Sequence, residues 1–134
     1  MLRQFEETFN SFVCHGDSIE TEVDGLTIRA TIEYDQDTHI DDNDCHNVGQ
    51  EATGCDDDQQ RALLEARKAW FSDEWWYCGV VLSVYKGEVR LSEHAASLWG
   101  IEANYPGSNN SYLDEVANEL LGEALQAGKK VLES

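Results

Sequence analysis

The chain has 134 residues, with 27 acidic side chains against 9 basic ones and a net charge of −18. That length fits one domain, the 41% hydrophobic content supplies one core, and no apolar run approaches the ~18 residues that cross a bilayer. The charge lies far outside the magnitude of about 2–8 usual for a small domain; it disfavours direct binding to DNA, RNA or an anionic membrane and favours basic proteins or metal ions.

The first residues, Met1 to Glu7, have no basic segment followed by an apolar stretch, so a secretory signal is not expected and the expected location is cytoplasmic. In that compartment the four cysteines, Cys14, Cys45, Cys55 and Cys78, are expected as thiols. Ser18 to Tyr34 reads as a β-hairpin. Asp24-Gly25 is a strong signal for a two-residue type I′ turn. That turn pairs Val23 with Leu26, Thr21 with Ile28 and Ile19 with Ala30 on a core face. Glu22 with Thr27 and Glu20 with Arg29 fall on the opposite face, with Glu33 further along it.

Residues 35–58 lack periodicity and read as a long acidic loop, a length that is usually functional or disordered. Residues 14–58 hold fourteen acids and one base, Arg29, and so carry −13 of the total charge. A helix is predicted over Gln59 to Ser72. Asp56, Asp57 and Asp58 sit at its positive end and Arg67 and Lys68 near its negative end. Leu63, Ala66 and Trp70 form its stripe, with Leu64 and Phe71 beside it. Trp75 to Leu91 reads as a second hairpin turning at Lys86-Gly87. Its first strand is apolar on both faces and is therefore expected inside the sheet. Asn104 to Asn110 is a loop. Ser111 is placed to cap a last helix, with Asp114 completing a capping box. Leu113, Val116, Leu120, Ala124 and Leu125 form the buried stripe, and Gly128 ends or loosens the helix. The expected fold is α+β: one domain, residues 1–134, with an antiparallel sheet of about four strands from two hairpins and two or more helices packed on it.

Several residue types in the long loop are metal ligands. His39, Cys45, His46 and Cys55 give one candidate set, but no C-x-x-C is present and the aspartates do not follow the EF-hand spacing. Cys14-His15 and Cys45-His46 invite a nucleophile reading, which needs a base beside the thiol in space; sequence neighbours in an extended chain point apart. Cys78 alternates with core positions and reads as a small buried hydrophobe, and His94 as a surface residue. No phosphate loop, dinucleotide fingerprint or G-x-S-x-G elbow is present. The expectation is a binding protein and not an enzyme, with no cofactor. The aromatic run from Trp70 to Tyr85 reads as core, whereas Trp99, Tyr105 and Tyr112 flank a loop and offer a contact surface.

Carboxylates two apart on a strand are about 6.6 Å apart, from a rise of roughly 3.3 Å per residue. Successive phosphates on one DNA strand advance by about 3.4 Å along the axis and lie further apart through space. Glu20, Glu22, Glu33, Asp35, Asp37, Asp41, Asp42 and Asp44 are therefore the expected contacts to a basic surface that otherwise holds nucleic acid.

Thr21 to Asp37 (TEVDGLTIRATIEYDQD), Asp73 to Val84 (DEWWYCGVVLSV) and Ser97 to Leu121 (SLWGIEANYPGSNNSYLDEVANELL) together resemble a family of small bacteriophage and mobile-element proteins without assigned function. The third stretch is the most specific, and residues 38–58 depart from the family pattern, being shorter and more acidic. The resemblance supplies no catalytic residues. It implies residence in a host cell and an antagonist of host defence, by analogy with acidic phage proteins that imitate DNA to block CRISPR or restriction machinery. The alternatives are a metal-binding or metal-regulated domain using the loop set, and a phage assembly or adaptor protein.

Overall fold

The computed structural model describes residues 5–38 and 57–133. Its elements run β1 (Ser18–Val23), β2 (Leu26–Tyr34), α1 (Asp57–Phe71), β3 (Trp76–Lys86), β4 (Val89–Ala103) and α2 (Ser111–Glu133). The strands form one antiparallel sheet in the order β1-β2-β3-β4. This is the expected α+β architecture.

The first hairpin has the predicted register, with Val23 opposite Leu26, Thr21 opposite Ile28 and Glu20 opposite Arg29. Asp24 and Gly25 both have positive φ, 53° and 79°, as the type I′ turn requires. Alternation then sends Ile19, Val23, Leu26, Ile28, Ala30 and Ile32 to one face, where they are buried with Val80, Leu82 and Val84 of β3. β3 lies between β2 and β4, as its two apolar faces predict.

The second hairpin departs from the expected one. Lys86 pairs with Val89, so the turn is Gly87-Glu88, one residue later than Lys86-Gly87. Gly87 takes φ +60° at the first central position, and Glu88 has no positive φ. That is the type II′ pattern, which wants glycine first. β4 also runs to Ala103, well past Leu91. Its pairing with β3 shifts register between Cys78 and Val80, Leu82 and Val84, and Val84 and Tyr85. Each shift rotates the side chains and erases the alternation that identifies a strand in sequence.

α2 covers the first face of the sheet through Leu113, Val116, Ala117, Leu121, Ala124 and Gly128. Leu120 and Leu125 are only partly buried. The helix does not end at Gly128. A Cβ there would lie 2.6 Å from Val84 Cγ1, so the missing side chain is what lets α2 approach the sheet. The Ser111–Asp114 capping box does not form either. Ser111 is already helical, its N–H donates to Asn109 Oδ1 (3.0 Å), and Asp114 Oδ1 accepts from the Phe9 N–H (2.7 Å).

That last bond belongs to a clasp. Phe5, Phe9 and Val13 are buried on the α2 side of the sheet. Their N–H groups donate to Asn118 Oδ1 (2.8 Å), Asp114 Oδ1 and Asn104 Oδ1 (2.8 Å). Asn104 and Asn110, both at positive φ, return bonds to Val13 O and Ser11 O. Four side chains of the Ser97–Leu121 stretch, Asn104, Asn110, Asp114 and Asn118, thus hold the N-terminal segment in place.

α1 ends at Phe71, one residue before Ser72. Glu74 N–H donates to Ala69 O and Asp73 N–H to Trp70 O, a Schellman close with Asp73 in the left-handed region (φ 59°). The helix meets the second face of the sheet at one end, where Ala69 packs with Trp75 and Tyr77, and Trp75 Nε1 donates to Ala66 O (2.7 Å). Tyr105 closes this cluster, its ring 4.8 Å from that of Trp75.

Candidate functional site

The second face of β1 and β2 carries Glu20, Glu22, Thr27, Arg29, Thr31 and Glu33, since each stands opposite a partner of the same parity in the ladder. These side chains are half-buried or exposed, and among the described residues no helix covers them. β1 is an edge strand, and along it a hollow of about 310 Å³ is lined by Glu6, Glu20, Thr21, Glu22 and Thr27. Glu6 arrives from the N-terminal segment that the clasp holds.

The predicted contacts separate into distinct environments. Glu22, Glu33 and Asp37 lie outside the ion pairs found among the described residues, and so does Glu6. Glu20 accepts from Arg29 Nε at 2.7 Å, and the Arg29 guanidinium lies 4.9 Å from the Tyr85 ring centroid. That pair is about 40% exposed on both sides, so it is worth only ~0.2–1 kcal/mol and can be exchanged for a pair with another molecule.

Asp35 does not fit the role expected of it. It is buried, and its carboxylate is filled from within. Oδ1 accepts from the N–H groups of Asp37 (2.9 Å) and Thr38 (3.2 Å); Oδ2 accepts from Thr38 Oγ1 (2.7 Å) and the Gly100 N–H (2.9 Å). Four acceptor sites with four donors leave nothing for a partner. Burial raises its pKa, but the bonds from Thr38, Asp37 and Gly100 outweigh that and the net shift is downward. Asp35 clamps the left-handed Gly100 of the β4 bulge to the end of β2.

Asp41, Asp42 and Asp44, and all of His39, Cys45, His46 and Cys55, lie outside the described residues. Among the described residues no group of three His, Cys, Asp or Glu side chains is placed to hold a metal ion. Cys78 is buried as expected. Burial, with the Asp35 charge adding to it, pushes the thiol up to about 12, which removes it as a nucleophile at neutral pH. Cys14 is exposed. Tyr105 is turned onto Trp75, whereas Trp99 and Tyr112 are exposed. The Trp99 ring lies flat over Gly79, where a Cβ would meet Trp99 Cε3 at 2.3 Å.

A second hollow, of about 330 Å³, was not anticipated from sequence. It lies at the far end of the sheet from the Asp24-Gly25 turn and is lined by Phe12, Val13, Cys14, His15, Tyr34, Asp73 and Trp76. Its residues come from three separated segments. The one local signal is an aspartate where a helix end prefers glycine.

No family model, curated protein or solved structure matches the chain. No helix among the described residues is long and apolar enough to cross a membrane.

Proposed function

We propose that the protein is a non-enzymatic binding protein whose acidic face occupies the basic nucleic-acid-binding surface of a host protein, in the manner of an anti-CRISPR or anti-restriction DNA mimic. The observation that carries this reading is the set Glu6, Glu22 and Glu33. These carboxylates belong to no ion pair among the described residues and lie along one uncovered face and edge, in a chain of net charge −18. Glu20 joins them by exchanging Arg29 for a partner arginine. Charge attraction of this kind speeds encounter and selects basic surfaces. The ladder holds Glu20, Glu22 and Glu33 in fixed register, and Glu6 lines the same hollow as Glu20 and Glu22.

The test is a charge reversal, Glu6→Lys with Glu22→Lys and Glu33→Lys, compared with wild type as bait in bacterial lysates. Wild type should retain nucleic-acid-binding proteins that the variant releases, with both forms unfolding at similar temperature. Equal retention by the two baits rejects the reading. The assembly or adaptor reading draws on the exposed Trp99; a Trp99→Ala bait that loses the same partners while the charge-reversed bait keeps them supports it instead.

A further inference from the structure

We infer that the hollow formed by Phe12, Tyr34, Trp76 and Asp73 is a subsite for a single guanidinium, the side chain of an arginine presented by a basic partner. Tyr34 and Trp76 emerge side by side from the ends of β2 and β3, with ring centroids 5.8 Å apart and planes tilted by 42°. Phe12 adds a third ring, and it is 64% exposed, while Tyr34 is 51% exposed. Three aromatic rings around an open hollow is a poor way to bury apolar area, since two of the rings remain largely in water. It is a good way to receive a cation, because the ring faces are electron-rich.

Asp73 supplies the charge. Its carboxylate makes no hydrogen bond or ion pair among the described residues, and it borders the hollow. Its backbone position is informative. At the left-handed close of a helix, glycine is the residue that fits without strain, and a β-carbon there is unfavourable. Among the described residues nothing uses the Asp73 side chain in return. A planar guanidinium satisfies both halves of the hollow: it stacks on the rings and presents a fork of N–H donors to a carboxylate, which an ammonium does less well. His15 lines the hollow with its Nδ1 accepting the Tyr34 N–H (3.0 Å), which ties the imidazole to the end of β2. The net charge of the chain disfavours an anionic occupant.

The identity of the partner as a basic protein rests on the reading proposed above, but the subsite can be tested without it. The probe is N-acetyl-arginine amide, with N-acetyl-citrulline amide as a neutral control of the same shape, followed through the indole N–H resonance of Trp76. Arginine amide should shift that resonance saturably and citrulline amide should not. Asp73→Gly should weaken arginine amide by about tenfold, the size of one charge-assisted hydrogen-bonded pair, while leaving the unfolding temperature equal or higher. Phe12→Leu with Tyr34→Leu keeps these positions apolar but removes two ring faces, and should also weaken the probe. An equal response to the two amides, or unchanged binding in Asp73→Gly, overturns the proposal. Failure of the mimicry leaves arginine-amide binding intact, and failure of the subsite leaves the charge-reversal result intact, so each idea falls by itself.

Discussion

At the scale of single residues, Asp35 shows why counting charge is not the same as locating it. In sequence it is one more aspartate in an acidic run; in the fold it is a buried acceptor of four hydrogen bonds. Nothing in the composition distinguishes a carboxylate turned inward from one turned outward. Asp35→Asn keeps the shape but turns amide hydrogens toward donors, and should lower stability by about 1.5–3 kcal/mol in denaturant unfolding at neutral pH. The pH dependence has a definite sign. A carboxyl whose folded pKa is lowered stabilises the fold fully above its unfolded value, roughly 3.9 for aspartate, and that stability is lost as pH falls through the folded value. The gap between wild type and Asp35→Asn should therefore narrow across the acid range. Glu102, raised by its burial, acts in the opposite sense in both forms and cancels from the comparison.

At the scale of elements, legibility followed how local each signal is. The first hairpin was readable to the residue because Asp24-Gly25 and a clean alternation agree. β4 was mostly lost because three register shifts scramble its alternation. The N-terminal segment went unread as structure because its partners, Asn104, Asp114 and Asn118, are side chains about a hundred positions away. The arginine hollow was invisible for the same reason, being assembled from Phe12, Tyr34, Asp73 and Trp76. α2 contains two glycines that sequence cannot tell apart. Gly122 faces open space, so Gly122→Ala should stabilise by about 1 kcal/mol, the helix-propensity difference. At Gly128 the same gain is opposed by a clash with the buried Val84. Overpacking of that kind costs about 1–3 kcal/mol, so Gly128→Ala should be neutral at best and in most of that range destabilising. Thermal unfolding of the two variants side by side reads both signs.

At the scale of the whole molecule, the fold separates two jobs. The face that packs against α2 and the N-terminal segment is apolar and closed, while the other face of β1 and β2 carries Glu20, Glu22 and Glu33. An acidic edge strand also discourages strand-to-strand aggregation, and that structural role predicts no partner at all. The magnitude of the charge separates the two. Protecting one edge needs a few carboxylates, whereas −18 over 134 residues builds a long-range field. The most direct measurement is competition. With a partner retained on immobilised protein, duplex DNA or RNA is added at fixed salt, and the retained fraction is then followed as salt is raised. Mimicry predicts that nucleic acid displaces the partner and that affinity falls steeply with salt. A partner that stays bound in excess nucleic acid, or whose binding ignores salt, would contradict it.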